Sequence, residues 1–138
     1  MILYLADTSA WHRSRHAQVL ALWDRKLADD SIATCAQVRL EVLYSAESLR
    51  DYSVISEELS ALRQLPCGSA EFERALEVQH ALARQGGLHH RSVKIADLII
   101  AASAESAEAT VWHYDDDFDR IAKITGQRTE WIARRGTL

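Results

Sequence analysis

Asp97 stands as the lone acid in an apolar run, Val93-Lys94-Ile95-Ala96-Asp97-Leu98-Ile99-Ile100-Ala101-Ala102. Aspartate is a poor helix former and is almost never buried without a partner. An unpaired buried carboxylate costs several kcal/mol or more, so something must compensate it. Lys94, one turn earlier, is one candidate; a metal ion is the other. Glu41 has a similar setting in Val38-Arg39-Leu40-Glu41-Val42-Leu43-Tyr44, unless it lies on a solvated face or pairs with Arg39 or Arg50. Asp7 ends the apolar run Ile2-Leu3-Tyr4-Leu5-Ala6, and Asp115 follows Thr110-Val111-Trp112-His113-Tyr114. Each alone fits a helix cap or a turn. Together, two acids at strand ends and two on apolar helices have one economical explanation, a shared oxygen-ligand site for a hard divalent cation. Mg²⁺ prefers carboxylate oxygens and water at about 2.0–2.1 Å. Two such ions would balance the charge of these carboxylates. Without metal, like charges about 4 Å apart repel by roughly 4 kcal/mol at an effective dielectric of about 20. Such a cluster serves function, not stability.

Other chemistries fit less well. No Cys or His set has zinc spacing. An aspartyl phosphatase would place a second acid two positions after Asp7, where Ser9 stands. A receiver domain would need paired acids near the start and a lysine after a late strand, and neither is evident. His89-His90, beside Gly86-Gly87, fit a solvated loop. Cys35 and Cys67 are far apart in sequence and fit free thiols.

The elements that must position these acids follow from periodicity. The run before Asp7 reads as a buried strand, with Thr8 or Ser9 capping a short helix. Residues 16–28 carry a helical stripe of Val19, Leu20, Trp23 and Leu27. A short strand over 31–34 precedes a helix over 36–48. Further helices are expected over 52–65, 69–85, 93–104 (capped by Ser92) and 118–124, the last ended by Gly126. Residues 110–114 form a third strand and 129–132 an edge strand. Alternating short apolar strands and helices predict an α/β fold with a parallel sheet. In such sheets ligands bind beyond the carboxyl ends of the strands, where Asp7 and Asp115 would meet.

A chain of 138 residues with 48% hydrophobic and 26% charged residues suits one domain, spanning residues 1–138. With 16 basic and 20 acidic residues the net charge is −4, which argues against a protein that simply coats nucleic acid. No run approaches the roughly 20 apolar residues of a membrane span, and the first residues lack the pattern of a signal peptide. A cytoplasmic protein is expected.

The motifs Asp7-Thr8-Ser9-Ala10, the embedded Glu41, Lys94 to Ala102 and His113-Tyr114-Asp115-Asp116-Asp117-Phe118-Asp119 resemble PIN-domain ribonucleases. The subgroup is the VapC toxins of bacterial toxin–antitoxin pairs, and the likeness runs from residue 1 to about 132. The resemblance implies a three-layer α/β/α sandwich with a central, mostly parallel sheet. It implies a Mg²⁺-dependent endoribonuclease (Mn²⁺ as a substitute) with Asp7, Glu41, Asp97 and Asp115 at the acidic positions. Asp117 matches a further acid near the metal, and Thr8 or Ser9 a hydroxyl contact. It also implies an RNA substrate, a cognate antitoxin and a homodimer. The alternative is a non-catalytic PIN-like module acting through protein partners. Which of Asp115, Asp116 and Asp117 ligates metal stays open. Asp116 should point away from Asp115 if the strand continues, and Asp116 and Asp119 are expected to be solvated.

Metal-assisted hydrolysis would activate water and stabilise the departing 3′ oxygen. It would bypass the ribose 2′-hydroxyl and leave 5′-phosphate and 3′-hydroxyl ends. Arg13, Arg15, Arg91 and Lys94 are placed to rim the site and grip phosphates, though ordinary surface charge also explains them. Of the tryptophans, Trp23 and Trp112 are expected in the core. Trp11 is the better candidate for a partner or substrate surface.

Overall fold

The computed structural model describes residues 1–138. Five parallel strands, β1 (Tyr4–Ala6), β2 (Ile32–Thr34), β3 (Arg63–Gln64), β4 (Thr110–His113) and β5 (Thr129–Trp131), lie in the order β3-β2-β1-β4-β5. The helices are α1 (Thr8–Trp11), α2 (Leu20–Ala28), α3 (Ala36–Tyr44), α4 (Leu49–Ser60), α5 (Ser69–Arg84), α6 (Ile95–Ser106) and α7 (Asp117–Thr125). A 3-10 turn, His89–Arg91, leads toward α6. The sheet is the middle of an α/β/α sandwich. β2 and β4 are buried along their whole length, as befits strands covered on both faces. β3 and β5 are the edges.

The strand order reverses beside β1. The chain runs outward through β2 and β3, then returns to place β4 on the other side of β1. A crevice at the carboxyl ends of β1 and β4 follows from that switch. Register fixes it, with Ala6 opposite Trp112 and the Asp7 N–H donating to the Trp112 carbonyl at 2.9 Å. Trp112 is fully buried, stacked on Trp23 at 5.5 Å between ring centres and against Tyr4 at 5.7 Å. Both tryptophans expected inside are core.

Several boundaries differ from expectation. The helix expected to reach residue 65 stops at Ser60, and Arg63–Gln64 become β3. Leu59, Leu62 and Leu65 continue the helical stripe, but the chain turns so that the Leu65 N–H meets the Thr34 carbonyl at 2.8 Å. α2 begins at Leu20, and turns occupy most of the preceding residues. Lys94, not Ser92, occupies the N-cap position of α6; the Ser92 hydroxyl donates instead to the His89 carbonyl. β4 ends at His113, so Asp115 and Asp116 lie in a turn where strand alternation no longer applies. Gly126 ends α7 with φ of 71°, a left-handed conformation that suits glycine.

Candidate active site

Each acid is delivered by a backbone feature at the crevice. Asp7 follows β1 and caps α1, its carboxylate accepting the Ser9 N–H at 3.0 Å and the Ser9 hydroxyl at 2.5 Å. The same Ser9 oxygen accepts the Tyr114 N–H at 2.8 Å, tying the ends of β1 and β4 together. Asp97 sits in the first turn of α6, where the positive end of the helix favours a carboxylate. Asp115 accepts the Asp117 N–H at 2.9 Å, and Asp117 opens α7. The Lys94 N–H, at the start of α6, donates to Asp117 at 3.0 Å. Glu41 projects from α3, partly exposed, next to Gln37.

Asp97, Asp115 and Asp117 form the tight group, each offering one oxygen within 4.8 Å of the others. Asp7 acts on Asp97 through charge, and Glu41 is coupled by charge to Asp7 and Lys94. Burial first, then its bond with Asp117 and the nearby Asp7 carboxylate, pushes Asp97 up to about 9. Burial likewise raises Asp7 and Glu41. Asp117 moves the other way: burial opposes its ionisation, but hydrogen bonds from the Asp97 carboxyl and the Lys94 N–H, with the Lys94 ammonium, hold it low. Lys94 Nζ lies 2.5 Å from Asp115, 3.3 Å from Asp117 and 3.4 Å from Asp97. A single cation therefore contacts all three carboxylates. Both explanations offered for Asp97, the lysine and the metal, converge on this point in space. The donor set is all oxygen, suited to a hard divalent ion. The Thr8 hydroxyl oxygen is buried and close enough to Glu41 to favour that acid's ionised form. These residues fit a bound divalent metal.

A PIN-domain family model matches residues 4–124. The chain belongs to the PIN-domain family. Within it, the chain is 53% identical over 137 residues to Ribonuclease VapC18 of Mycobacterium tuberculosis, covering 99% of this chain and 100% of that one. It is 40% identical over 135 residues to Ribonuclease VapC21 of the same species, covering 97% and 96%. The chain is thus a VapC-family PIN protein. A DNA-bound VapBC structure from Salmonella typhimurium shares the fold with a TM-score of 0.77 at 23% identity, covering 96% of this chain and 100% of that one.

The remaining residues singled out in the sequence of this PIN domain divide by location. Arg13 donates to the Ser9 carbonyl at 2.9 Å and lies 4.3 Å over the Tyr114 ring, beside the crevice. Arg15 instead pairs with Glu58 at 3.6 Å, in a cleft of about 660 Å³ between α2 and α4 that Trp11 also lines. Arg91 is exposed in the 3-10 turn. Asp116 and Asp119 are not simply solvated: Asp116 pairs with Arg135 at 2.6 Å, and Asp119 accepts the Trp131 indole N–H at 3.3 Å.

Two residues beside the acids escaped the sequence argument. Arg120 donates to Asp117 at 3.1 Å, a pairing that three-residue helical spacing could have disclosed. His113 is fully buried beneath Asp115 and accepts its N–H at 3.2 Å; burial lowers its pKa to about 4, so it is a neutral support. Nothing in its local sequence marks it.

Proposed function

We propose that this chain is a Mg²⁺-dependent endoribonuclease, the toxin of a VapBC-type pair, with residues 1–138 acting as one nuclease domain. The observation that carries the proposal is the cluster of Asp97, Asp115 and Asp117, with Asp7 coupled to it by charge, Glu41 coupled to Asp7 and Lys94, and Asp97 protonated more readily than a solvated carboxylate. Acids this mutually repulsive persist where a cation repays the cost. Asp97, Asp115 and Asp117 would hold the metal, with Asp7 and Glu41 flanking and Mn²⁺ able to substitute. Bound there, a divalent ion supplies an activated water and charge neutralisation for phosphodiester hydrolysis.

The chain's own residues do the rest. Ser9 fixes Asp7 and, through Tyr114, the start of the Asp115 turn. His113 props that turn from below. Arg120 orients Asp117. Arg13, beside the crevice, is placed to meet a phosphate of the substrate. Lys94 contacts all three carboxylates, so a metal held by them would displace its ammonium and leave that charge free to meet the same phosphate.

The names of the relatives and of the structural neighbours support an RNA substrate and a cognate antitoxin. An RNA-cleaving role accords with a cytoplasmic site of action; no helix is long and apolar enough to cross a membrane. A homodimer accords with exposed apolar side chains on α3 and α5, Leu40, Tyr44, Phe72 and Leu76. The test is to sequence the RNA ends made by purified protein with and without EDTA. The expected products carry 5′-phosphate and 3′-hydroxyl ends and vanish with EDTA or with Asp97→Asn. Cyclic phosphate ends, or cleavage indifferent to chelator, would overturn the proposal.

The three contacts of Lys94 also favour a second reading, a non-catalytic module whose acids are neutralised internally. Calorimetric titration with Mg²⁺ or Mn²⁺ separates the two, because the module would bind neither.

A further inference from the structure

A cleft of about 500 Å³ is lined by Tyr114, Trp131, Arg120 and Arg135 together with Asp115, Asp116 and Asp117. The geometry points to a nucleotide subsite here: an unpaired nucleotide adjoining the scissile phosphate places its base against the Tyr114–Trp131 corner and its phosphate against the guanidinium groups. The inference rests on the ribonuclease reading above and adds where and how the RNA strand is held.

The aromatic corner is built before any ligand arrives. The two rings meet edge to face, 5.4 Å apart at 78°. Trp131 is backed by His113 at 5.0 Å and its indole N–H is held by Asp119 at 3.3 Å. The Tyr114 hydroxyl accepts the Leu138 N–H at 2.9 Å. Rings fixed in this way lose little freedom on binding, which lowers the cost of stacking a base. Stacking is also sequence-tolerant, since every base has a π-face.

Two arginines stand among the acids of this cleft. An RNA strand approaching several carboxylates must be drawn by cations at the rim. Arg120 uses one N–H on Asp117 and has further donors in its fork. Arg135 is bound to Asp116 in a pair whose side chains are 68% and 32% exposed. An ion pair that open is worth little, so trading the carboxylate for a phosphate costs little. Arg135 also lies 5.8 Å over the Trp131 ring, so one residue reaches both the base wall and the phosphate wall. The cleft continues directly into Asp115 and Asp117, so a nucleotide held there delivers its neighbouring phosphodiester to the acids.

The test measures binding of a short, fluorescently labelled single-stranded RNA by anisotropy, in EDTA and on the Asp97→Asn protein, where hydrolysis is not expected. Cleavage by the protein with Asp97 intact is assayed in parallel. Adding Trp131→Ala should weaken binding by about tenfold to a hundredfold, while Trp131→Phe should retain most of it. Adding Arg135→Ala should flatten the dependence of log affinity on log salt by about 0.7. In the cleaving protein both changes should raise KM more than they lower kcat. Arg135 is exposed enough to remove without unfolding, so the test stands even if Trp131→Ala misfolds. Unchanged RNA affinity in Arg135→Ala and in folded Trp131 variants, with cleavage intact, would overturn the subsite alone and leave the cleft to a protein ligand. Failure of the unsubstituted protein to bind or cleave any RNA would overturn the ribonuclease reading and the subsite with it.

Discussion

Replacing Asp97 by Asn keeps the side chain's size and removes its charge. The Asp97 side chain is 6% exposed, and burial, with the surrounding carboxylates, holds its pKa at about 9. In the unfolded chain an aspartate titrates near about 3.9. From about pH 5 to about pH 8 the folded protein therefore keeps a proton that the unfolded chain has lost. A group whose folded pKa is raised contributes stability fully present below its unfolded pKa and lost as pH rises toward the folded value. One proton of difference corresponds to about 1.4 kcal/mol per pH unit. Between about pH 6 and about pH 8, metal-free wild type should lose roughly 3 kcal/mol through this residue, and the Asp97→Asn variant should not. Asp7 and Glu41 remain in both proteins and largely cancel in the difference. Urea denaturation in EDTA at several pH values measures the gap, which should widen as pH rises, with the variant the more stable at the alkaline end. Millimolar Mg²⁺ should narrow it by binding the folded wild type and not the unfolded chain. Parallel stability curves for the two proteins in EDTA would refute the account of a carboxylate held protonated by its neighbours.

Ser9→Ala removes the tie between Asp7 and the Tyr114 N–H; it should cost about 1–3 kcal/mol of stability and lower cleavage, as denaturation and single-turnover rates will report. Lys94→Ala should lower the metal-free melting temperature slightly, by an amount worth no more than about 1 kcal/mol given the lysine's exposure, and tighten Mg²⁺ binding in calorimetry. Unchanged metal affinity would remove Lys94 as a competitor for the site. Trp112→Ala should cost about 3–5 kcal/mol in chemical denaturation, because it empties the space between Trp23 and Tyr4.

The sequence carried the frame of the site further than its fittings. Asp7 and Asp115 each follow an apolar run too short for a helix, and a parallel sheet brings such ends together at its switch point. Asp97 and Glu41 were visible because charge is rare within apolar helices. The turn after His113 was not visible, since three consecutive aspartates carry no signal of where a strand stops. That turn decides that Asp115 and Asp117 join Asp97 in one oxygen cluster while Asp116 pairs with Arg135. β3 was hidden because Leu59, Leu62 and Leu65 keep helical spacing across a change of backbone. Arg15 and Arg13 look equivalent in sequence, yet Arg15 answers to Glu58 on α4 while Arg13 packs on Tyr114. His113 and Arg120 act through long-range packing or through a carboxylate whose own role was unresolved.

The hydroxyl of Ser9 reaches the backbone of Tyr114 across 105 positions of chain. Proteins are synthesised from the amino terminus, so the earliest strand waits for one of the last before its aspartate gains its neighbours. The carboxylate cluster of Asp97, Asp115 and Asp117 can assemble only once the final third of the chain has emerged and docked.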